Sequence, residues 1–176
     1  PWLYNGVMKS PIGGLIKQMS GFSKHRKLPL LANQTFASWF KKHTQAATYA
    51  NGDVYLYNDE FLNYNDVAIG KTAVLLLNRL GYKVIVPDLK ESGRTYLSKG
   101  MLEQAQILAE ANVTFLKDFA NSSHQLIGIE PSAILSFRDE YPDLCRGELK
   151  AIAQQLTKKT FLIEEFLAQE LDAGRI

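Results

Sequence analysis

The predicted fold depends on the run Leu80-Gly81-Tyr82-Lys83-Val84-Ile85-Val86-Pro87. This run joins the end of one helix to the start of a strand. Upstream of it, residues 67–80 carry apolar side chains at helical spacing, and Gly81 is the residue type that commonly follows a helix end. Residues 83–87 are rich in β-branched side chains, which favour strands. The run therefore predicts a helix over 67–80, with Asp66 as its N-cap, and a strand over 83–87.

The same alternation continues on both sides of this run. Strands are predicted at 54–57 and 125–129, and helices at 101–119, 149–156 and 160–171, with a short helix that Ser132 caps. Strand and helix in alternation indicate parallel strands with right-handed crossovers. The predicted fold class is α/β, with three layers and a short, Rossmann-like parallel sheet of at least three strands flanked by helices.

Residues 1–50 differ from the rest of the chain. Prolines, glycines and a basic cluster interrupt any long periodic pattern, although Thr35 or Asn33 can cap a short helix over 35–40. We therefore expect an arm or linker from an upstream domain over 1–50, and an α/β domain over 51–176. Both chain ends resemble cuts in a longer protein.

Composition excludes several classes of protein. The net charge of +2 disfavours a nucleic-acid partner, and the basic cluster Lys24-His25-Arg26-Lys27 is interpreted as a solvated linker rather than a contact for phosphate or an anionic membrane. The single cysteine, Cys145, rules out a disulfide within the chain and makes a thiolate metal site nearly impossible. No apolar run approaches the roughly 18 residues that span a bilayer.

Three polar loops follow the three predicted strands and should meet at one edge of the sheet, where α/β proteins bind ligands. The loops are 58–60, 91–94 and 130–132, and the first lacks the glycines of a dinucleotide fingerprint. Carboxylates at this edge, balanced by Arg94, could perform acid–base chemistry or hold a cation. A hydrogen-bonded network that joins loops and helix caps is favoured over both. The candidate residues are Asn58, Asp59, Glu60, Glu91, Ser92, Gly93, Arg94, Glu130 and Ser132, and no metal ligand is predicted.

Several runs in this order resemble one family. The stretch from Val54 to Leu144 is similar to the first half of the cysteine-rich (CCG) domain of iron–sulfur oxidoreductases linked to FAD-binding oxidases. Examples are the iron–sulfur subunits of glycolate oxidase and anaerobic glycerol-3-phosphate dehydrogenase, and proteins of the D-lactate dehydrogenase type. The runs that carry the resemblance are Asn58-Asp59, Leu80-Gly81-Tyr82, Gly93-Arg94, Leu97-Ser98-Lys99-Gly100, Gly128-Ile129-Glu130-Pro131-Ser132 and Arg138-Asp139-Glu140-Tyr141-Pro142-Asp143-Leu144.

The departures fall on the family's cysteines. Glu91 and Ser92 stand where the family has two cysteines before Gly93-Arg94, and Ala133 stands where a cysteine follows Pro131-Ser132. Carboxylate, hydroxyl and methyl groups do not replace thiolates as cluster ligands. The second half of the domain is expected beyond Ile176.

The resemblance implies a piece of a multidomain oxidoreductase that oxidises a 2-hydroxy acid such as lactate or glycolate, with this part a degenerate cysteine-rich domain. FAD and 4Fe–4S clusters are expected elsewhere in the parent protein, and no cofactor in this chain. Expected partners are other domains of the same protein and a membrane electron acceptor. The expected location is cytoplasmic, with peripheral attachment to the inner membrane left open. The alternatives are a non-catalytic interaction module, or a small-molecule or cation site built from the loop carboxylates.

Overall fold

A computed structural model describes residues 1–23, 25–46 and 49–176. Lys24, the first residue of the basic cluster, lies outside the described residues. The elements follow in the order α1 (Trp2–Lys9), α2 (Pro11–Met19), α3 (Phe36–Phe40), β1 (Asp53–Leu56), α4 (Glu60–Tyr64), α5 (Val67–Arg79), β2 (Lys83–Ile85), α6 (Arg94–Leu97), α7 (Leu102–Phe115), α8 (Lys117–Ala120), β3 (Leu126–Gly128), α9 (Pro131–Ile134), α10 (Ser136–Asp139), α11 (Tyr141–Leu144), α12 (Glu148–Thr157), β4 (Thr160–Leu162) and α13 (Ile163–Asp172).

Four strands form one parallel sheet in the order β2-β1-β3-β4. Val54 pairs with Val84 on one side of β1, and Leu56 pairs with Ile127 on the other. On its far side, β3 pairs with β4 through Ile127 and Phe161. The predicted parallel α/β sheet of at least three strands is confirmed.

Helices cover both faces of this sheet. Side chains alternate between the two faces along β1 and the residue after it: Val54 and Leu56 join a core with α5 and α13, and Tyr57 joins a core with α7 and α12. The period-two alternation of a strand places successive side chains in different layers. The result is the predicted three-layer arrangement of helices, sheet and helices.

Several predicted boundaries are wrong. The predicted helix over 160–171 begins instead with β4, because three strand residues run directly into α13 and leave no turn signal between them. The segment between the predicted strand at 54–57 and the predicted helix at 67–80 contains α4, and Leu116 divides the predicted helix over 101–119 into α7 and α8. Ser132 does not cap its helix; its backbone N–H donates to the side chain of Glu130, which occupies the N-cap position.

Several residues of the arm between positions 30 and 45 contact the domain. The Thr35 side chain accepts a hydrogen bond from the Ser38 backbone and caps α3, as predicted. Phe36 is fully buried beside Gly70, where an added Cβ would lie 2.8 Å from the Phe36 ring. The Ala32 backbone N–H donates to the Tyr64 carbonyl at 2.7 Å and adds a main-chain tie to α4.

Gly128 should tolerate no side chain, because a Cβ at this position would lie 2.4 Å from Cβ of Ile134. We expect Gly128→Ala to lower the free energy of unfolding by about 1–3 kcal/mol, the usual cost of overpacking a close-packed core. Urea denaturation followed by circular dichroism measures the loss. Gly14→Ala is the control, since a Cβ there meets no atom within 4 Å. Equal stability of the two variants would contradict the close approach.

Candidate functional site

The strand order reverses between β1 and β3, which places their carboxyl ends at the switch point of the sheet. From β1 the chain continues to β2 on one side, and later returns to add β3 and β4 on the other. Connections leave such neighbouring strands toward opposite faces and open a crevice, where ligands bind in open α/β sheets. Residues 58–60 follow β1 and residues 129–132 follow β3, so two of the three predicted loops flank this crevice.

Asp59 is a buried carboxylate at the crevice, with an exposed fraction of 1%. Its Oδ1 accepts hydrogen bonds from the backbone N–H groups of Phe61 and Leu62 at 2.8 and 3.0 Å, and so caps α4. Burial, together with the negative charges of Glu60 and Glu130, raises the pKa of Asp59 to about 6, although the two backbone bonds oppose this shift.

Two oxygens beside each other in sequence are buried and have no hydrogen-bond partner among the described residues. They are Oδ2 of Asp59 and Oδ1 of Asn58. Buried polar atoms are nearly always satisfied, because an unpaired acceptor loses its hydration and gains nothing in return. The pair therefore offers two acceptors for the donor of a water or a ligand.

Glu60 links the first predicted loop to the second. Its Oε1 accepts from the Ser92 hydroxyl at 3.1 Å, and its Oε2 lies 3.5 Å from the Ser92 amide. The Ser92 hydroxyl in turn accepts from the Arg94 amide at 3.2 Å, at the start of α6. Ser92 itself is buried, so this network ties loop to loop away from solvent.

Three buried side chains hold the backbone of residues 90–92. Tyr57 donates its hydroxyl to the Lys90 carbonyl at 3.0 Å, and Tyr141 donates to the Ser92 carbonyl at 3.0 Å. Asn112 accepts from the Lys90 amide at 2.7 Å and donates to the Glu91 carbonyl at 3.2 Å and to the Tyr141 hydroxyl at 3.0 Å. Burial raises the pKa of both tyrosines well above the usual range, so both phenols keep their protons and remain donors.

Gly93 allows the turn that follows this backbone. Its φ of 77° lies in the left-handed region, and an added Cβ would lie 3.5 Å from the α7 backbone at Ala105. Glycine adopts this conformation without steric cost. The run that resembles the family's Gly-Arg motif therefore places its backbone directly on α7.

The side chains of the remaining predicted residues lie outside this network. Arg94 forms an ion pair with Glu140 at 3.1 Å. The prediction was that Arg94 balances the loop carboxylates, and Glu140 lies outside those loops. Glu130 accepts from the Ser132 hydroxyl at 2.7 Å and caps α9 locally. Glu91 is exposed.

The donor set does not fit an iron–sulfur cluster. Glu91 and Ser92 supply oxygens, and the side chain of Ala133 is a methyl group that is buried in the core. Cys145 is buried in the same core, and burial raises the pKa of its thiol to about 11, which disfavours the thiolate that binds metal. Across residues 1–23, 25–46 and 49–176 no group of three His, Cys, Asp or Glu residues could hold a metal ion.

Sequence reasoning missed the three residues that hold the second loop. Asn112 carries the one usable signal, since a polar residue stands among the apolar positions of the predicted helix over 101–119. Tyr57 and Tyr141 carried none, because an aromatic residue at the end of a strand or helix usually belongs to the core. Their hydroxyl partners are set by tertiary packing.

The chain is similar in sequence to two kinds of dehydrogenase. D-2-hydroxyglutarate dehydrogenase of Haemophilus influenzae is 30% identical over 56% of this chain, and the protein of the same name from Pantoea ananatis is 23% identical over the whole chain. A subunit of the anaerobic glycerol-3-phosphate dehydrogenase of Escherichia coli is 23% identical over 99% of it. These similarities confirm the predicted relationship to dehydrogenases.

The chain spans only part of each of these relatives. It corresponds to 10% and 18% of the two D-2-hydroxyglutarate dehydrogenases and to 44% of the glycerol-3-phosphate dehydrogenase subunit. No family model matches the chain, and no solved structure matches it.

Asn112→Ala should loosen residues 90–92, because it leaves the Lys90 amide and the Glu91 carbonyl without their partner. We expect a loss of about 2–3 kcal/mol in the free energy of unfolding and faster hydrogen exchange at the Lys90 amide. Chemical denaturation and amide exchange by NMR measure the two effects. Asn121→Ala, at an exposed asparagine that ends α8, serves as the control. Unchanged exchange at Lys90 would show that this backbone is held by other contacts.

The raised pKa of Asp59 predicts a pH-dependent stability. The native protein holds this proton more tightly than the unfolded chain, so stability falls as pH rises from about 4 to about 6. Asp59→Asn keeps a capping side chain and removes the charge, and we expect it to be about 2 kcal/mol more stable than the parent at pH 7. Urea denaturation between pH 4 and 8 measures the difference, with exposed Glu91→Gln as the control. A difference that does not change with pH would refute the assignment.

Proposed function

We propose that this chain is a domain of a flavin-linked, iron–sulfur dehydrogenase that oxidises a 2-hydroxy acid, and that the domain itself has lost the cluster-binding cysteines. The observation that carries the proposal is the loop of residues 90–94, which keeps the Gly93-Arg94 turn and a buried hydrogen-bond network while lacking thiolates. Similarity to proteins named D-2-hydroxyglutarate dehydrogenase supports a 2-hydroxy dicarboxylic acid as substrate. Similarity to a protein named as part of anaerobic glycerol-3-phosphate dehydrogenase leaves glycerol-3-phosphate as the alternative.

In this proposal the domain acts through its shape. FAD and 4Fe–4S clusters are held by other parts of the natural protein, because oxygens and a methyl group occupy the positions of the cluster ligands. Glu60, Ser92 and Arg94 would then set the loop surface against which a neighbouring domain or an electron-transfer partner packs. The Arg94–Glu140 ion pair is partly exposed on that surface, where a partner could reach it.

A second candidate is a small-ligand site at the crevice between β1 and β3. It rests on the unpaired oxygens of Asn58 and Asp59, which lie where α/β sheets bind ligands. Both atoms are acceptors while Asp59 is ionised, so the ligand would present a hydroxyl, an amine or a cation. Such a site would bind at neutral pH and weaken as Asp59 becomes protonated near pH 6.

Anaerobic incubation with iron and sulfide tests the absence of a cluster. We expect no stoichiometric uptake of iron and no visible charge-transfer band, because Cys145 is the single thiol and is buried. A ferredoxin treated in parallel shows that the procedure works, and Cys145→Ser should give the same background as the parent chain. A stoichiometric cluster that disappears in Cys145→Ser would overturn the proposed loss of cluster binding.

Turnover of the natural full-length protein tests the proposed activity. Purified protein should contain flavin and reduce an artificial acceptor dye with D-2-hydroxyglutarate, lactate, glycolate or glycerol-3-phosphate. Glu91→Gln should leave turnover and stability unchanged, because Glu91 is exposed. Loss of turnover at unchanged stability would favour a carboxylate site over the architectural role, and no oxidation of any of the four substrates would refute the proposed function.

A further inference from the structure

The second helix of the arm carries an apolar stripe that faces away from the protein. Ile12, Leu15, Ile16 and Met19 stand at spacings of three and four residues, which places them on one face of α2. Such a stripe usually packs into a core. Here the exposed fractions of Ile12, Leu15 and Met19 are 62%, 60% and 81%.

The first helix and the residues after α2 expose further large apolar side chains. Trp2 is 79% exposed, its neighbour Leu3 is also exposed, and Phe22 adds a third large apolar side chain just after α2. Nine of the 19 exposed large hydrophobic residues of the described chain lie between residues 2 and 31, so apolar exposure is concentrated in the arm. Single exposed apolar residues need no explanation, whereas a contiguous set marks an interaction surface.

The two helices form a hairpin that packs closely on itself. An added Cβ at Gly13 would lie 2.4 Å from the Val7 carbonyl oxygen, so α2 approaches the backbone of α1 directly. Asn5 ties the hairpin to the extended segment beyond it: its side chain donates to the Leu31 carbonyl at 2.7 Å and accepts from the Leu31 amide at 2.9 Å. The apolar stripe of α2 is therefore held outward by a defined structure.

Charge is distributed unevenly along the sequence. Residues 1–52 contain seven Lys or Arg residues and no Asp or Glu, whereas residues 53–176 contain all 18 acidic residues and 13 basic ones. A cavity of about 390 Å³ beside the hairpin brings three of these lysines together with apolar side chains. Its lining is Met8, Lys9, Lys17, Lys27, Leu28 and Leu30.

We propose that the α1–α2 hairpin binds the surface of an anionic lipid bilayer, with the stripe of α2, Trp2 and Phe22 embedded at the level of the headgroups. Helices that lie in this plane combine an apolar face containing Trp, Phe or Leu with lysine-rich flanks. The lysine-lined cavity fits a headgroup phosphate beside the start of an acyl chain. The inference is independent of the proposed redox function.

A bilayer explains the charge better than a protein partner does. Protein interfaces are depleted in lysine, whereas anionic lipid headgroups attract juxtamembrane lysine and arginine. A segment of 52 residues without one carboxylate is complementary to a negatively charged surface along its whole length. Nor does the hairpin need to cross the membrane, and no helix within the described ranges is long and apolar enough to do so.

Vesicle co-sedimentation tests the proposal. The chain should bind vesicles of phosphatidylglycerol and phosphatidylcholine in equal amounts at least tenfold more tightly than vesicles of phosphatidylcholine alone, and 0.5 M NaCl should abolish the difference. In a Trp39→Phe background Trp2 is the single tryptophan, so its fluorescence should shift to the blue when vesicles are added.

Two sets of variants separate the apolar and the charged contributions. Leu15→Ser with Met19→Ser should weaken vesicle binding by about tenfold or more, and each of Lys9→Gln and Lys27→Gln should weaken it by about fivefold at low salt. Ile107→Ser with Phe115→Ser is the matched control, since these side chains are comparably exposed on α7, and it should bind as the parent does.

Other outcomes would overturn the proposal. Equal binding to both kinds of vesicle would remove the role of charge. Self-association without vesicles, with Trp2 protected, would assign the stripe to a second copy of the chain. Vesicle binding by this chain but not by the natural full-length protein would assign the stripe to a contact within that protein.

Discussion

The carbonyls of Lys90, Glu91 and Ser92, which accept hydrogen bonds from three buried side chains, impose the constraint on which the candidate site depends. A loop that passes under helices loses its water, so every carbonyl it buries must find a donor. Tyr57, Asn112 and Tyr141 supply those donors from the end of β1, from α7 and from α11. One short backbone segment therefore fixes the relative positions of three elements that are distant in sequence.

This constraint explains how the loop can keep its conformation without cysteines. Tyr57, Asn112 and Tyr141 hold the backbone of residues 90–92 through their phenol and amide groups. These bonds do not involve the side chains of Glu91 or Ser92. Glu60 and Ser92 then add a bond between two loops. The hydrogen bonds that hold this edge therefore need no thiol, and the described residues offer no group that could hold a metal ion. The crevice between β1 and β3 differs from this network, because acceptors of Asn58 and Asp59 there have no partner among the described residues.

Much of the fold could be predicted, because the signals that mark it are local. Gly81 ends α5, Thr35 caps α3, and β-branched runs mark β1, β2 and β3. β4 could not be predicted, because its three residues continue the apolar pattern of α13 and are a strand only through pairing with β3. The partner of Arg94 could not be predicted either, since Glu140 lies 46 residues away and reaches it through the packing of α10 and α11.

The sequence by itself determined the parallel α/β class and the polar loops that follow its strands, because periodicity, turn residues and composition are properties of short windows. Tertiary structure alone decided which polar groups are satisfied. Contacts with residues that are distant in sequence decide three features of this protein. They decide whether Asn112 holds a loop, whether the pKa of Asp59 is raised, and whether the stripe of α2 is covered. Desolvation is the physical reason, since burial sets the free energy of each polar or apolar group and no local pattern encodes it.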